Sequence, residues 1–257
     1  MSLRALVTND DGIDSEGLRQ LALAAVACGL DVTVAAPQHE SSGTSAALTA
    51  VQNEGRIVVA ERQLEGLAGV PARAVEAAPG FIVRIAARGG FGPPPDIVLS
   101  GVNRGANTGR AIVHSGTVGA AISAFTLGLR GLAVSLSGGD PEHWETARAL
   151  AEKVIPMFIS VAAPVVLNLN VPDVGEDAVR GLVRARLARF GVVQTTVVET
   201  GRGYVKMGVQ ETGHEPEPDS DVALLAAGYA TVTALEPSCE RSDVPLPELE
   251  EAAQTAG

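Results

Sequence analysis

The sequence predicts an α/β fold built on a mostly parallel sheet. The apolar segment 3–8 is followed by residues 15–28, where apolar side chains recur at helical spacing, and then by the β-prone run 31–36. A strand, a helix and a strand in this order form a βαβ unit, whose strands lie parallel in one sheet. A further run, 96–100, lies between turn-forming residues and has the apolar character of a strand buried on both faces, which is typical of parallel sheets.

The later part of the chain continues the alternation of helices and strands. Helical patterns are predicted over residues 79–88 and 141–158, and a helix of small residues opens near Ser115. Strands are predicted over 131–136 and 165–170. These elements add further strand-helix units to the same sheet.

The pattern divides the chain into three parts. Residues 1–172 form the α/β core, including an excursion at 46–78 to which we assign no function. Residues 173–218 are β-rich, with a hairpin turn at 201–203, and predict an antiparallel extension. Because exposed β arms often serve assembly, we expect a homodimer or homotetramer. Residues 219–257 contain a short helix, a strand that returns to the core and an acidic tail.

Composition limits the partners that the protein can have. The 257 residues include 30 acidic and 19 basic side chains, a net charge of −11, which disfavours binding to duplex nucleic acid or to an anionic membrane. The only cysteines are Cys28 and Cys239, too far apart in sequence for a thiolate metal motif or a disulfide framework. The N-terminal segment does not resemble a signal peptide, and no apolar run is long enough to span a membrane. We therefore expect a cytoplasmic protein.

Two adjacent carboxylates, Asp10 and Asp11, directly follow the first strand and precede Gly12. Two like charges at the end of a buried strand are costly unless a cation lies between them or one carboxylate stays protonated. Mg²⁺ and Mn²⁺ prefer oxygen ligands of this kind. An ordinary strand-to-helix turn also uses Asp, Asn and Gly, so this segment alone does not decide between the two interpretations.

Hydroxyl groups and amides follow other predicted strands at the same edge of the sheet, where ligands of open α/β folds bind. The loop 37–45 is rich in Ser and Thr, Asn103 offers a neutral oxygen ligand, and the Asn107 amide can donate to a phosphoryl oxygen. Free N–H groups at a helix start, with the hydroxyls of Ser115 and Thr117, form an anion pocket. A solvated loop at 37–45 and a simple helix cap at Ser115 or Thr117 remain open alternatives.

Four motifs together resemble the SurE (survival protein E) nucleotidase family in order and spacing, and they cover nearly the whole chain. The residues that carry the resemblance are Val7–Gly12, Ala36–Pro37 with Ser42–Gly43, Pro95–Asn103 with Gly105 and Asn107, and Ser115–Val118. The sequence departs from the family pattern at 38–41, where Gln-His-Glu-Ser replaces a more basic run.

The resemblance implies a Rossmann-like core with helices on both faces and an oligomerising C-terminal extension. It also implies a divalent-metal-dependent phosphatase that releases phosphate from nucleoside 5′-monophosphates, with 3′-nucleotides and polyphosphate as candidate further substrates. One Mg²⁺ or Mn²⁺ per subunit would be held by Asp10, Asp11, Ser42 and Asn103. The substrate would contact Asn9, Asn107, Ser115, Gly116 and Thr117. The residues expected to take part in catalysis are Asp10 and Asn107.

Two other classes of protein share parts of this pattern. A nucleotide-binding module that does not hydrolyse its ligand would use the acidic pair only to anchor metal and phosphate, although the glycine fingerprint of dinucleotide-binding domains is missing after the first strand. A response-regulator-like receiver also has paired acids after its first strand. It needs a phosphoacceptor Asp after the third strand and a later strand-end Lys, and the corresponding strands here end in Asn103 and in Ser-Gly.

Overall fold

The computed structural model describes residues 2–41, 43, 45–50, 52–53, 56–189, 193–211 and 215–237. Thirteen strands lie within this part of the chain. In chain order they are β1 Arg4–Thr8, β2 Asp31–Pro37, β3 Gln52–Asn53, β4 Arg56–Ile57, β5 Val59–Arg62, β6 Ala72–Val75, β7 Ile97–Arg104, β8 Arg130–Leu136, β9 Val165–Val171, β10 Leu182–Arg184, β11 Val193–Gly201, β12 Tyr204–Glu211 and β13 Ala230–Leu235.

The main sheet has nine strands in the order β10-β13-β9-β8-β7-β1-β2-β6-β5. Six neighbouring strands, from β9 through β6, are parallel, while β13 and β5 pair antiparallel with β9 and β6. The predicted α/β fold with a mostly parallel sheet is confirmed. Because β1 lies between β7 and β2, the carboxyl ends of these three strands share one edge.

The described residues also form five α-helices: α1 Glu16–Ala27, α2 Pro79–Ala87, α3 Gly116–Phe125, α4 Trp144–Ser160 and α5 Asp221–Ala226. Helices α1 and α4 pack together on one face of the sheet, and α2 and α3 pack together on the other. The predicted coverage of both faces is therefore confirmed. Helix α1 begins after Ser15, whose hydroxyl accepts the N–H of Leu18.

Helix α1 packs directly on the carboxyl end of β7. A Cβ atom at Gly17 would lie 1.9 Å from the carbonyl oxygen of Val102 and 2.8 Å from the Trp144 ring. Only glycine allows this approach, which brings the start of α1, the end of β1 and the end of β7 together. The packing thus sets the position of the turn that contains Asp10 and Asp11.

Several elements differ from the sequence-based expectations. Strand β7 does not end at Ser100 but continues to Arg104, with an irregular register against β8 between Ser100 and Asn103. Gly101, at φ +128°, supplies the conformation that this irregularity needs. Residues Gly109–His114 form a 3₁₀ helix that the sequence pattern did not indicate.

Two regions contribute more to the main sheet than expected. Strand β6, inside the excursion at 46–78, pairs in parallel with β2. Strand β10, inside the segment 173–218 expected to be an antiparallel extension, pairs in parallel with β13. Both strands are short, and a local pattern of three or four residues does not reveal which distant strand they join.

The rest of the segment 173–218 agrees with the expected hairpin. Strands β11 and β12 pair antiparallel as a separate two-stranded sheet, and the turn between Gly201 and Tyr204 lies where it was predicted. The predicted acidic tail at 238–257 falls outside the described residues. Among the described helices, none combines the length and apolar character that crossing a membrane requires.

Candidate metal and phosphate site

The ends of β1 and β7 meet the start of α3, and their polar side chains converge there. The Thr117 hydroxyl donates a hydrogen bond to Asp10 Oδ1 and lies 3.1 Å from Asn103 Oδ1. Thr117 is fully buried, and Asp10 is only 3% exposed. The structure thus brings three sequence-predicted residues, Asp10, Asn103 and Thr117, into one cluster.

Burial makes the negative charge of the Asp10 carboxylate unfavourable. Loss of hydration raises the pKa of Asp10 to about 6, the Thr117 hydrogen bond opposes this rise, and the negative charge of Asp11 adds to it. Within the described part of the chain, no ion pair is present at either carboxylate. A cation between the two groups would remove this electrostatic cost.

Asp11 links the ends of the two strands. Its Oδ2 accepts the backbone N–H of Arg104 at 3.0 Å, so the turn after β1 is tied to the end of β7. Burial raises the pKa of Asp11, and the Arg104 N–H acts against that rise. One carboxylate oxygen of Asp11 therefore serves the fold, and among the described residues no hydrogen bond occupies the other, Oδ1.

The Asn103 side chain is oriented by its amide group. Its Nδ2 donates to the carbonyl oxygen of Gly105 at 2.7 Å, which turns Oδ1 toward Thr117 and the Asp10 side of the cluster. An amide oxygen and two carboxylates form a hard oxygen donor set. The described residues contain no group of three or more His, Cys, Asp or Glu side chains suited to a metal, so a cation here needs this mixed set.

The fourth ligand expected from the family resemblance, Ser42, lies outside the described residues. Ser41, which precedes it in the chain, donates its backbone N–H to the carbonyl oxygen of Asp10 at 2.7 Å. The loop after β2 is thereby attached to the turn after β1. The assignment of Ser42 as a metal ligand remains a prediction.

Asn9, expected to contact substrate, is fully buried, and its amide bonds to the turn after β1. Its Oδ1 accepts the Gly12 N–H at 3.2 Å, while Nδ2 donates to the Gly12 carbonyl and, at 2.6 Å, to Ser15 Oγ. Gly12 has φ +100°, which this tight turn requires. These contacts describe a residue that shapes the turn, and its contact with substrate stays a prediction.

Asn107 is held by polar side chains from two neighbouring strands. Its backbone N–H donates to Asn170 Oδ1, and its carbonyl oxygen accepts the Nδ2 groups of Asn168 and Asn170, all at 2.8 Å. Its own Nδ2 donates to Ser135 Oγ at 2.9 Å. The Asn107 loop is therefore fixed to the carboxyl ends of β8 and β9.

The sequence-based reasoning missed Ser135, Asn168 and Asn170 as supporting residues. A signal was present, because Leu167-Asn168-Leu169-Asn170 places two amides on alternate positions of an otherwise apolar buried strand. Such amides need partners on one face of the sheet. Their position near the carboxyl end of β9 would have placed those partners at the ligand edge.

The N-terminus of α3 lies directly against Asp10. Ser115 caps the helix by accepting the Val118 N–H at 3.1 Å. At Gly116, a Cβ atom would lie 2.7 Å from Asp10 Oδ2 and 2.9 Å from Asp10 Cβ. The positive end of the helix thus faces the acidic pair, an arrangement suited to an anion that also contacts a cation.

The chain matches the family model "Survival protein SurE" over residues 5–193. The 5′-nucleotidase SurE of Aeromonas hydrophila is 34% identical over 238 residues, which cover 91% of this chain and 92% of that protein. The 5′/3′-nucleotidase SurE of Edwardsiella ictaluri is 34% identical over 241 residues, covering 91% and 90%. The crystal structure of the SurE protein from Aquifex aeolicus is similar with a TM-score of 0.73 at 26% identity, and the match covers 93% of this chain and 96% of that one.

Proposed function

Because this chain belongs to the survival protein SurE family, we propose that it is a divalent-metal-dependent phosphomonoesterase that converts nucleoside 5′-monophosphates to nucleoside and phosphate. Its relatives in Aeromonas hydrophila and Edwardsiella ictaluri carry nucleotidase names. The observation that carries the proposal is the adjacent pair of the buried Asp10 and the partly buried Asp11, which lies beside the Asn103 oxygen and against the N-terminus of α3.

The metal part of the proposal rests on the donor set. Asp10, Asp11 and Asn103, with Ser42, would hold one Mg²⁺ or Mn²⁺ per chain. Two carboxylates that lack an ion pair within the described residues fit such a cation, and small hard cations need few protein ligands. When bound, the ion supplies charge neutralisation and Lewis acidity to a phosphoryl group.

The protein groups around the acidic pair suit the remaining phosphoryl oxygens. The Asn107 amide, the positive N-terminal end of α3 and the Ser115 hydroxyl would bind and orient them. Such donors stabilise charge as it moves toward the leaving group. Because the Asn107 backbone is clamped by Asn168 and Asn170, it would need little rearrangement when substrate binds.

Asp10 is our candidate to accept a proton from the attacking water. A carboxylate that also binds the cation can accept a proton only through an oxygen that the cation leaves free. The Thr117 hydroxyl holds Oδ1 and so fixes the orientation of the carboxylate.

The proposal includes 3′-nucleotides and polyphosphate as further substrates, and a homodimer or homotetramer as the assembly. The name of the Edwardsiella ictaluri relative supports the 3′-activity. The β11–β12 hairpin supports the assembly, because it exposes apolar side chains that a second copy would cover: Val197, Val198, Tyr204 and Val205.

The proposed function predicts metal-dependent phosphate release. Chelator-treated protein is incubated with 5′- and 3′-monophosphates of each nucleoside, with polyphosphate and with a phosphodiester, with and without Mn²⁺ or Mg²⁺, and free phosphate is measured. We expect release from 5′-monophosphates only with metal, and none from the diester. Folded protein that binds nucleotides tightly without releasing phosphate under any condition would instead support the non-hydrolytic binding module.

A further inference from the structure

A buried aspartate from the C-terminal part of the chain contacts the loop that follows Asn107. Asp221 is fully buried, and its Oδ2 accepts the backbone N–H of Gly109 at 2.8 Å. Its Oδ1 accepts the N–H groups of Ala188 and Val222, both at 2.9 Å. The Asp221 carboxylate therefore connects the Gly109 loop, the segment at Ala188 and the start of its own helix, α5.

This carboxylate differs from the surface acids of its own segment. Asp219, two residues earlier, is exposed and pairs with Arg186. Among the described residues Asp221 forms no ion pair, so its charge is balanced by backbone N–H groups alone. A buried charge is costly unless such hydrogen bonds stabilise it. The geometry therefore ties Asp221 to the position of Gly109.

The position of Gly109 bears directly on Asn107. Only Thr108 separates them, and Thr108 is extended, with φ −127° and ψ 160°. Gly109 is buried at φ +59° and begins the 3₁₀ helix that leads to Ser115 and α3. Asn107 is thus held by Asn168 and Asn170 on one side and, through Gly109, by Asp221 on the other.

We propose that Asp221 is a positioning residue that orients the Asn107 loop for the reaction. It would act through Gly109 and not by touching substrate. Asp221 also lies beyond residues 5–193, the part matched by the family model, so a segment outside that match would complete the site. The proposal rests on the function proposed above.

The substitution Asp221→Asn tests one contact selectively. The amide oxygen of Asn can still accept the N–H groups of Ala188 and Val222, while its NH₂ group then faces the Gly109 N–H, donor against donor. We expect kcat for nucleoside monophosphates to fall about 10- to 100-fold and KM to change less than about threefold, because a displaced donor loses transition-state contacts. Asp219→Asn, in the same segment, is expected to keep wild-type kinetics.

A double-mutant cycle with Asn107→Ala distinguishes the positioning role proposed for Asp221 from a purely structural one. If Asp221 acts through Asn107, Asp221→Asn should change the rate of the Asn107→Ala protein by less than about twofold. The NMR signals of the Asn107 side-chain amide should also shift in Asp221→Asn and not in Asp219→Asn. The proposal would be overturned by a wild-type kcat in Asp221→Asn or by unchanged NMR signals of the Asn107 side chain. It would also be overturned if the rate losses of the two single variants multiplied in the double variant.

Two further measurements keep the outcomes separable. If wild-type protein releases no phosphate, the proposed function fails, and the NMR comparison still decides whether Asp221 sets the position of Asn107. If circular dichroism shows that Asp221→Asn does not fold, Asp221→Ser replaces it in the same double-mutant cycle, because this substitution also removes the contact to Gly109. The proposal then predicts the same fall in kcat and the same lack of effect in the Asn107→Ala protein, and the same contrary results would overturn it.

Discussion

Replacing Asp11 with Asn is expected to lower phosphate release from nucleoside 5′-monophosphates by about a thousandfold or more. The change removes a negative charge from the candidate cation site, and a bound cation contributes several kcal/mol of transition-state stabilisation. The fold should survive, because the Asn oxygen can still accept the Arg104 N–H that Asp11 accepts. Free-phosphate assays at saturating Mn²⁺ measure the effect.

The stability of the metal-free variant provides an independent readout. Asp11 raises the pKa of Asp10 by charge repulsion, so neutralising Asp11 should leave the melting temperature of chelator-treated protein unchanged or higher. Asp14→Asn, an exposed acid in the same turn, is the matched control and should retain wild-type activity. Loss of activity together with a collapsed melting temperature would point to a structural role for Asp11 instead.

Replacing Gly116 with Ala is expected to reduce phosphate release by about 100-fold. This result would be unusual, because Gly116 is the first residue of a helix, α3, where Ala is normally tolerated. Intrinsic propensity favours Ala over Gly in a helix by about 1 kcal/mol. A steric clash with Asp10 outweighs this preference for Ala, because the added Cβ would lie 2.7 Å from Asp10 Oδ2 and 2.9 Å from Asp10 Cβ. Either α3 or Asp10 must shift, and a displacement of about 1 Å in a catalytic group costs on the order of 100-fold in rate.

Gly139→Ala is the control for this substitution, since nothing lies within 4 Å of a Cβ atom at that position. We expect Gly139→Ala to match wild type in kcat and in melting temperature, and Gly116→Ala to lose kcat. A fully active Gly116→Ala protein would show that Asp10 and the start of α3 need not lie this close during turnover.

The convergence of Asp10, Asp11 and Asn103 could be predicted from the sequence because they lie at the carboxyl ends of strands of one parallel sheet, and these ends share an edge. That β1 pairs with β7 as well as with β2 could not be read from local patterns, since the two strands are about 90 residues apart in the chain. The same limit applies to the pairing of β10 with β13.

Side-chain roles were harder to predict than positions. Asn9 and Thr117 were both expected to contact the substrate, which stays a prediction; the sequence did not reveal that Asn9 bonds within its own turn and that Thr117 bonds to Asp10. Both contacts depend on hydrogen-bond geometry that residue spacing does not specify. Gly101 was expected in a loop, yet it lies within β7, because pairing with β8 continues on both sides of the irregularity, at Ser100 and at Asn103.

The most direct test of the central claim is a calorimetric titration of Mn²⁺ into chelator-treated protein, without substrate. We predict that wild-type protein and Asp14→Asn bind one Mn²⁺ per chain and that Asp11→Asn loses this binding or weakens it by at least about 100-fold. No binding by folded wild-type protein, or equal affinity in Asp11→Asn, would contradict a cation held at the carboxylate pair.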